Sequence, residues 1–142
     1  WFKAQISFLK RLNPNAAFIV IGPGDMSIKE KTEYVTYPNL EDVRDALRNA
    51  ALSTNCLFWD MYEVMGGKNS MPTWVNAQPP LAASDYIHFS PLGARKIGEE
   101  FYLNLMNMYK EYKGIKASPS PSEGRELSPN KEITGNTQFF NK

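Results

Sequence analysis

Histidine and cysteine each occur once in the 142 residues, as His88 and Cys56. One cysteine excludes an internal disulfide. One cysteine with one histidine leaves too few ligands for a zinc site of Cys/His type. Cys56 opens the apolar run Cys56-Leu57-Phe58-Trp59 and reads as a buried, inert thiol. Long apolar runs are missing as well. The longest, Ala16 to Ile21, is far too short to span a bilayer. Charge of either sign is not in excess: 16 basic side chains face 15 acidic ones, which gives no electrostatic ground for a nucleic-acid or anionic-membrane partner. No signal peptide and no internal repeat are visible. The chain opens on Trp1 rather than Met, so an excerpt or a processed product is expected.

What is present is the material of a core. Aromatic residues make up 13% of the chain, which excludes global disorder, and the length suits one domain at most. Residues 1 to 12 read as the end of an amphipathic helix, with Phe2, Ile6 and Leu9 on one line and Lys3, Lys10 and Arg11 off it. Asn13-Pro14-Asn15 stops it. Ala16 to Ile21 is rich in β-branched residues and fits a strand covered on both faces, as in a parallel sheet. Gly22-Pro23-Gly24-Asp25 ends that strand, and residues 26 to 37 read as polar and irregular. A second helix starts at Pro38-Asn39, with Asn39 as N-cap, Asp42 at N3, and Leu40, Val43, Leu47 and Ala50 or Ala51 as its buried stripe. Asn55 fits the turn at its end. Cys56 to Trp59 is the second buried strand, with Asp60 at its C-terminal edge.

Met61 to Met65 reads as one helical turn closed by Gly66-Gly67, and residues 68 to 84 as a long loop. Ser90-Pro91 opens the last helix, with Ser as N-cap and Pro at N1. Its apolar face is Leu92 or Ala94, Ile97, Phe101, Leu105 and Met108, and Gly114 stands at C′. Residues 115 to 142, with Ala117-Ser118-Pro119-Ser120-Pro121-Ser122, read as a low-complexity, disordered tail beyond a domain of residues 1 to 114. The order helix, strand, helix, strand, helix predicts an α/β fold with a parallel sheet. Two strands do not suffice for such a sheet, so partner strands are expected from upstream sequence or another chain.

Candidate chemistry centres on Asp85-Tyr86-Ile87-His88. A lone histidine is by default a surface or structural residue, and Ser84-Asp85 is ordinary turn chemistry. Context adds a second reading. Asp85 is close enough to hold one ring nitrogen of His88 across a single turn, which fixes the tautomer and leaves the other nitrogen for a reacting group. Loops after strand C-termini in open α/β sheets are where ligands sit, so Asp25 is a candidate for lining a cleft there. Trp74, on the long loop, is a candidate for an acyl or sugar platform. Its competing role is to anchor the loop to the core. No serine stands in a nucleophile context. In Gly24-Asp25-Met26-Ser27 a Met is inserted between Asp and Ser, and Ser27 reads as a cap or loop hydrogen bond. Ser84 reads as turn and Ser90 as N-cap.

Asp85-Tyr86-Ile87-His88-Phe89-Ser90-Pro91-Leu92-Gly93-Ala94 resembles the last conserved block of the SGNH (GDSL-type) hydrolases, where an Asp-x-x-His pair precedes a Ser/Thr/Asn-x-x-Gly helix start. Leu9 to Pro14 with Phe18 to Pro23 resembles the helix and strand after that family's third block, and Phe58-Trp59-Asp60-Met61-Tyr62 its next strand and exit. The resemblance covers about residues 1 to 113. It implies a three-layer flavodoxin-like fold, present here as its C-terminal half, and ester hydrolysis through an acyl-enzyme. His88 would be the general base and Asp85 its orienting partner, with no metal or organic cofactor. The substrate implied is a small ester or an acylated carbohydrate, such as acetyl groups on a polysaccharide or peptidoglycan. The family's nucleophilic Ser and oxyanion Gly and Asn all precede the region where this chain begins, so none transfers to a residue here, and the isolated chain is expected to be inactive. The resemblance favours a periplasmic or extracellular setting; the residues themselves leave the compartment open. The alternative is a non-catalytic α/β binding or structural module. A nucleotide-binding flavodoxin-like fragment is disfavoured because no Gly-rich phosphate loop follows a strand.

Overall fold

The computed structural model describes residues 1–114. The predicted tail, residues 115 to 142, lies outside the described residues. Nine elements follow in order: α1 (Phe2–Leu12), β1 (Ile19–Ile21), β2 (Ser27–Glu30), β3 (Glu33–Thr36), α2 (Leu40–Leu52), β4 (Leu57–Trp59), α3 (Met61–Met65), α4 (Met71–Val75) and α5 (Pro91–Tyr112). They fall into two compact units, Trp1–Ile97 and a second beginning at Gly98.

In the first unit, β1 and β4 pair in parallel with Ile19 opposite Leu57, Val20 opposite Phe58 and Ile21 opposite Trp59. Parallel neighbours need a crossover, and α2 supplies it. Side chains alternate across the pair. Val20 and Phe58 point to one face, where they pack with Phe2, Ile6, Phe18, Ala50, Ala51 and Cys56. The buried thiol of Cys56 is therefore part of the core beneath α1 and α2. The other face is open at Ile21, which is 49% exposed. Coverage of that second face, expected from the apolar run, is partial among the described residues: Trp59 is buried and Ile19 and Leu57 are half-buried, while Ile21 is exposed. The paired part of that run is also shorter, since only Ile19–Ile21 reaches β4.

Phe2 and Ile6 of α1 and Leu40, Leu47, Ala50 and Ala51 of α2 lie inward as predicted, and each helix departs from its expected stripe at one residue, where a long charged side chain explains the difference. In α1 the inward line is Phe2, Ile6 and Lys10 rather than Leu9, which is exposed. Lys10 Nζ donates to the carbonyls of Thr54 and Asn55 at 2.6 and 2.9 Å, at the end of α2 where cations are favoured. In α2 Val43 is exposed, and Arg44 takes the inward position one turn after Leu40. Its guanidinium meets Asp45 and Glu63 at 2.8 Å and lies over the Tyr62 ring, while its aliphatic stem is buried. Asn39 does precede α2, but in a left-handed conformation and without a side-chain cap bond.

Residues 26 to 37 are not irregular. β2 and β3 form an antiparallel hairpin, with Ser27 opposite Thr36 and Lys29 opposite Tyr34. Its two-residue loop is Lys31-Thr32, with Lys31 at φ 55°. Such loops are normally announced by Asn-Gly or Asp-Gly, and this one carries neither. The predicted long loop likewise contains a helix, α4, with Pro72 in its first turn. Around it lies a second core of Met65, Met71, Trp74 and Ala82, joined by Met61, Val75, Leu81, Tyr86, Phe89 and Ile97.

α5 begins as predicted, with Ser90 Oγ accepting from the Gly93 amide at 3.1 Å. Its inward line starts at Gly93 and Ile97, however, while Leu92 and Ala94 are exposed. Gly93 is buried against the backbone of Leu81. A Cβ there would stand 2.8 Å from the Leu81 carbonyl carbon and overlap its oxygen. In the second unit the helix runs on to Tyr112. Phe101, Leu105 and Met108 are half-buried, Tyr102, Tyr109 and Tyr112 are exposed, and Gly114 follows at φ 69°.

Candidate active site

The segment from Leu81 to Ser90 is a loop closed by its own backbone. Ala82 and Phe89 form an antiparallel bridge, Ala83 N donates to His88 O at 2.8 Å, and Ser90 N donates to Leu81 O at 3.0 Å. Its base rests on α4, because Leu81 N and Ala82 N both donate to Trp74 O. Ser90 Oγ adds a bond to Pro80 O at 2.7 Å, so the α5 cap also anchors the loop.

At the tip, Asp85 performs two tasks with its two oxygens. Oδ1 accepts the amides of Ile87 and His88, each at 3.0 Å. Asp favours this local turn because its short side chain reaches the amides two and three residues on. Oδ2 lies 2.7 Å from His88 Nδ1. The His88 side-chain bond, followed by the two backbone amides, lowers the Asp85 carboxyl to about 2. Ionised at neutral pH, this carboxylate can only accept, so Nδ1 must carry the proton and Nε2 keeps its lone pair in the neutral ring. His88 is exposed, and Nε2 has no hydrogen-bond partner among the described residues. An imidazole oriented by a carboxylate, with a free basic nitrogen, is equipped for general base work.

Tyr86, between the two, has φ 61°. The left-handed region costs a residue with a Cβ about 1–2 kcal/mol, so other contacts must hold it. Its ring stacks on Tyr34 of β3, with centroids 3.5 Å apart and planes 6° from parallel. Its carbonyl accepts from Ser27 N of β2 at 2.9 Å. Neither partner was legible from the sequence, since residues 34 and 86 share no motif and the hairpin carries no turn signature.

The two weaker candidates lie inward, apart from the Asp85–His88 pair. Asp25 is 2% exposed. Its Oδ1 accepts from Thr36 Oγ1 at 2.9 Å, and its Oδ2 from the Met71 amide at 2.7 Å and Ser70 Oγ at 3.4 Å. Thr36 and Asn69 complete the network: Thr36 N donates to Asn69 Oδ1 and Asn69 N to Thr36 Oγ1. Asp25 thus ties the hairpin to the start of α4. Trp74 is 5% exposed, with Nε1 donating to Met65 O at 2.9 Å and its ring against Phe89. In this chain it anchors the loop that carries Asp85 and His88. Ser27 is buried in the hairpin and engages the loop through its backbone, and Ser84 is exposed at the tip.

Comparison with known proteins places this geometry in context. No family model and no curated protein matches the chain. Among solved structures it is similar to one described as a peptidoglycan O-acetylesterase in action, with a TM-score of 0.71 and 26% identity over 78% of this chain. The chain spans 31% of the length of that protein. The fold is therefore esterase-like, mixed α/β with parallel strands. Among the described residues no helix is long and apolar enough to cross a membrane.

Proposed function

We propose that this chain supplies the acid–base half of an SGNH-type ester hydrolase active site. His88 is the general base and Asp85 its orienting carboxylate, and the substrate is an acetyl ester on peptidoglycan or a related carbohydrate. The observation that carries this reading is the 2.7 Å contact between Asp85 Oδ2 and His88 Nδ1 on an exposed loop, with Nε2 unengaged among the described residues. The likeness to an O-acetylesterase supports the same chemistry. In this mechanism Nε2 takes the proton of a serine hydroxyl as that oxygen attacks the ester carbonyl. The imidazolium, stabilised by Asp85, then protonates the departing sugar oxygen. In the second half, His88 activates water against the acyl-enzyme, and acetate leaves. None of Ser27, Ser84 and Ser90 is assigned this role: the Ser27 hydroxyl is buried in the hairpin, Ser90 Oγ is engaged by the Pro80 carbonyl and the Gly93 amide, and Ser84 lies on the turn itself.

The test uses the full gene product that carries this chain. Acetate release from O-acetylated peptidoglycan and hydrolysis of 4-nitrophenyl acetate are measured for the parent and His88→Gln. Loss of the base from a working triad lowers kcat by about 10⁴–10⁶-fold. A His88→Gln protein of unchanged kcat refutes the assignment and leaves a binding or structural module as the reading.

A further inference from the structure

The bend that brings Asp85 and His88 together is clamped from outside the loop, by the β2–β3 hairpin. With Tyr86 at φ 61°, the amides that follow it converge on Asp85 Oδ1, and this orients Oδ2 toward the ring of His88. The Tyr34 ring lies against the Tyr86 ring at 3.5 Å, nearly parallel, and Ser27 N holds the Tyr86 carbonyl at 2.9 Å. On the hairpin itself Lys29, the register partner of Tyr34, places Nζ 5.9 Å from the Tyr34 ring centroid. The hairpin is in turn fixed to α4 through Thr36, Asp25 and Asn69. Asp85 and His88 are themselves exposed, and among the described residues their hydrogen bond outside the turn is the Ala83–His88 backbone bond.

We propose that Tyr34 is a positioning residue for the dyad: its ring, stacked on Tyr86, keeps the turn in the left-handed bend that closes the Asp85–His88 hydrogen bond. Without the stack, Tyr86 relaxes to negative φ, the Ile87 and His88 amides leave Oδ1, and the carboxylate no longer selects the Nδ1–H tautomer. This inference rests on His88 being the base, but its structural half is measured separately. His88 is the only histidine of the chain, so in a ¹⁵N-histidine-labelled sample one imidazole reports its tautomer without assignment. At a pH where that ring is neutral, the parent and Tyr34→Phe, which retains the stack, are expected to show protonated Nδ1. Tyr34→Leu, which fills space without a stacking face, is expected to shift the ring toward protonated Nε2. In the full gene product the same variant is expected to lose about 10–100-fold in kcat with little change in KM, as misplaced catalytic groups do.

An unchanged tautomer in folded Tyr34→Leu overturns the proposal, and so does an equal shift in Tyr34→Phe. Should Tyr34→Leu lose its dispersed amide spectrum, Tyr86→Leu removes the same stack from the other side and is judged by the same criterion. A tautomer shift in Tyr34→Leu alongside full activity in His88→Gln upholds the positioning and rejects His88 as the base, so the two fail separately.

Discussion

Gly93→Ala is expected to destabilise the chain even though alanine is the better helix former. A Cβ at this position stands 2.8 Å from the Leu81 carbonyl carbon and overlaps the oxygen. The obstacle is backbone, so no rotamer change relieves it. The start of α5 must retreat by on the order of 1 Å to restore van der Waals separation. Overpacking of this kind costs about 1–3 kcal/mol. The retreat also stretches Ser90 N to Leu81 O and Ser90 Oγ to Pro80 O, now 3.0 and 2.7 Å. Each such bond contributes about 0.5–1.5 kcal/mol. Against this, Gly→Ala in a helix returns about 0.5–1 kcal/mol. The net loss is about 1–5 kcal/mol, to be set against the roughly 5–15 kcal/mol that holds a domain folded. Gly98→Ala is the internal control. It makes the same chemical change in the same helix, and a Cβ there meets nothing within 4 Å. It is expected to gain about 0.5–1 kcal/mol. Urea denaturation followed by far-UV circular dichroism gives both midpoints. If Gly93→Ala moves the midpoint upward, as Gly98→Ala does, then the close approach of α5 to Leu81 is not a feature of the folded chain.

Two further expectations concern the carboxylates. The Asp85 carboxyl, at about 2 in the fold because His88 and two amides bind its ionised form, titrates below its unfolded value of about 4. Its stabilising effect is therefore complete above about pH 4 and drains away as pH falls toward about 2. Asp85→Asn is expected to lower the urea midpoint at pH 6 and to lower it clearly less at pH 2, whereas equal deficits at both pH values contradict the assignment. Asp25→Ala removes the acceptor of the buried Thr36 hydroxyl and Met71 amide. Leaving two such groups unsatisfied costs about 2–5 kcal/mol, with Asp25→Asn milder because one acceptor survives. A substrate contact without a structural role would raise KM and leave the melting temperature alone.

The parts of the fold that local chemistry determines were legible. α1, α2, α3 and α5 follow apolar spacing or capping residues, and the two parallel strands follow the β-branched and aromatic runs at Ile19–Ile21 and Leu57–Trp59. Asp85 and His88 were legible together because their contact spans only three residues. What escaped depended on distant partners or atypical turns. The hairpin turns on Lys31-Thr32, without the residues that favour positive φ. α4 begins where Asp25, forty-six residues earlier, accepts the Met71 amide. One residue of each inward stripe was misplaced, Leu9 in α1 and Val43 in α2, because Lys10 and Arg44 carry apolar stems that a polarity pattern counts as surface.

The same distinction separates the dyad from its support. Asp85 Oδ1 closes the turn and Oδ2 holds the ring, so any substitution of Asp85 alters loop geometry and imidazole orientation together. Kinetics of Asp85 variants alone cannot divide a lost electrostatic partner from a collapsed turn. Tyr34 meets the turn by stacking on Tyr86, so replacing it leaves the carboxylate chemically intact. A fall in activity in Tyr34→Leu accompanied by a tautomer change measures the share of Asp85's effect that is positional, because the charge beside the ring is then still present. The hairpin is thus the element through which the geometry of the pair can be varied without touching its chemistry.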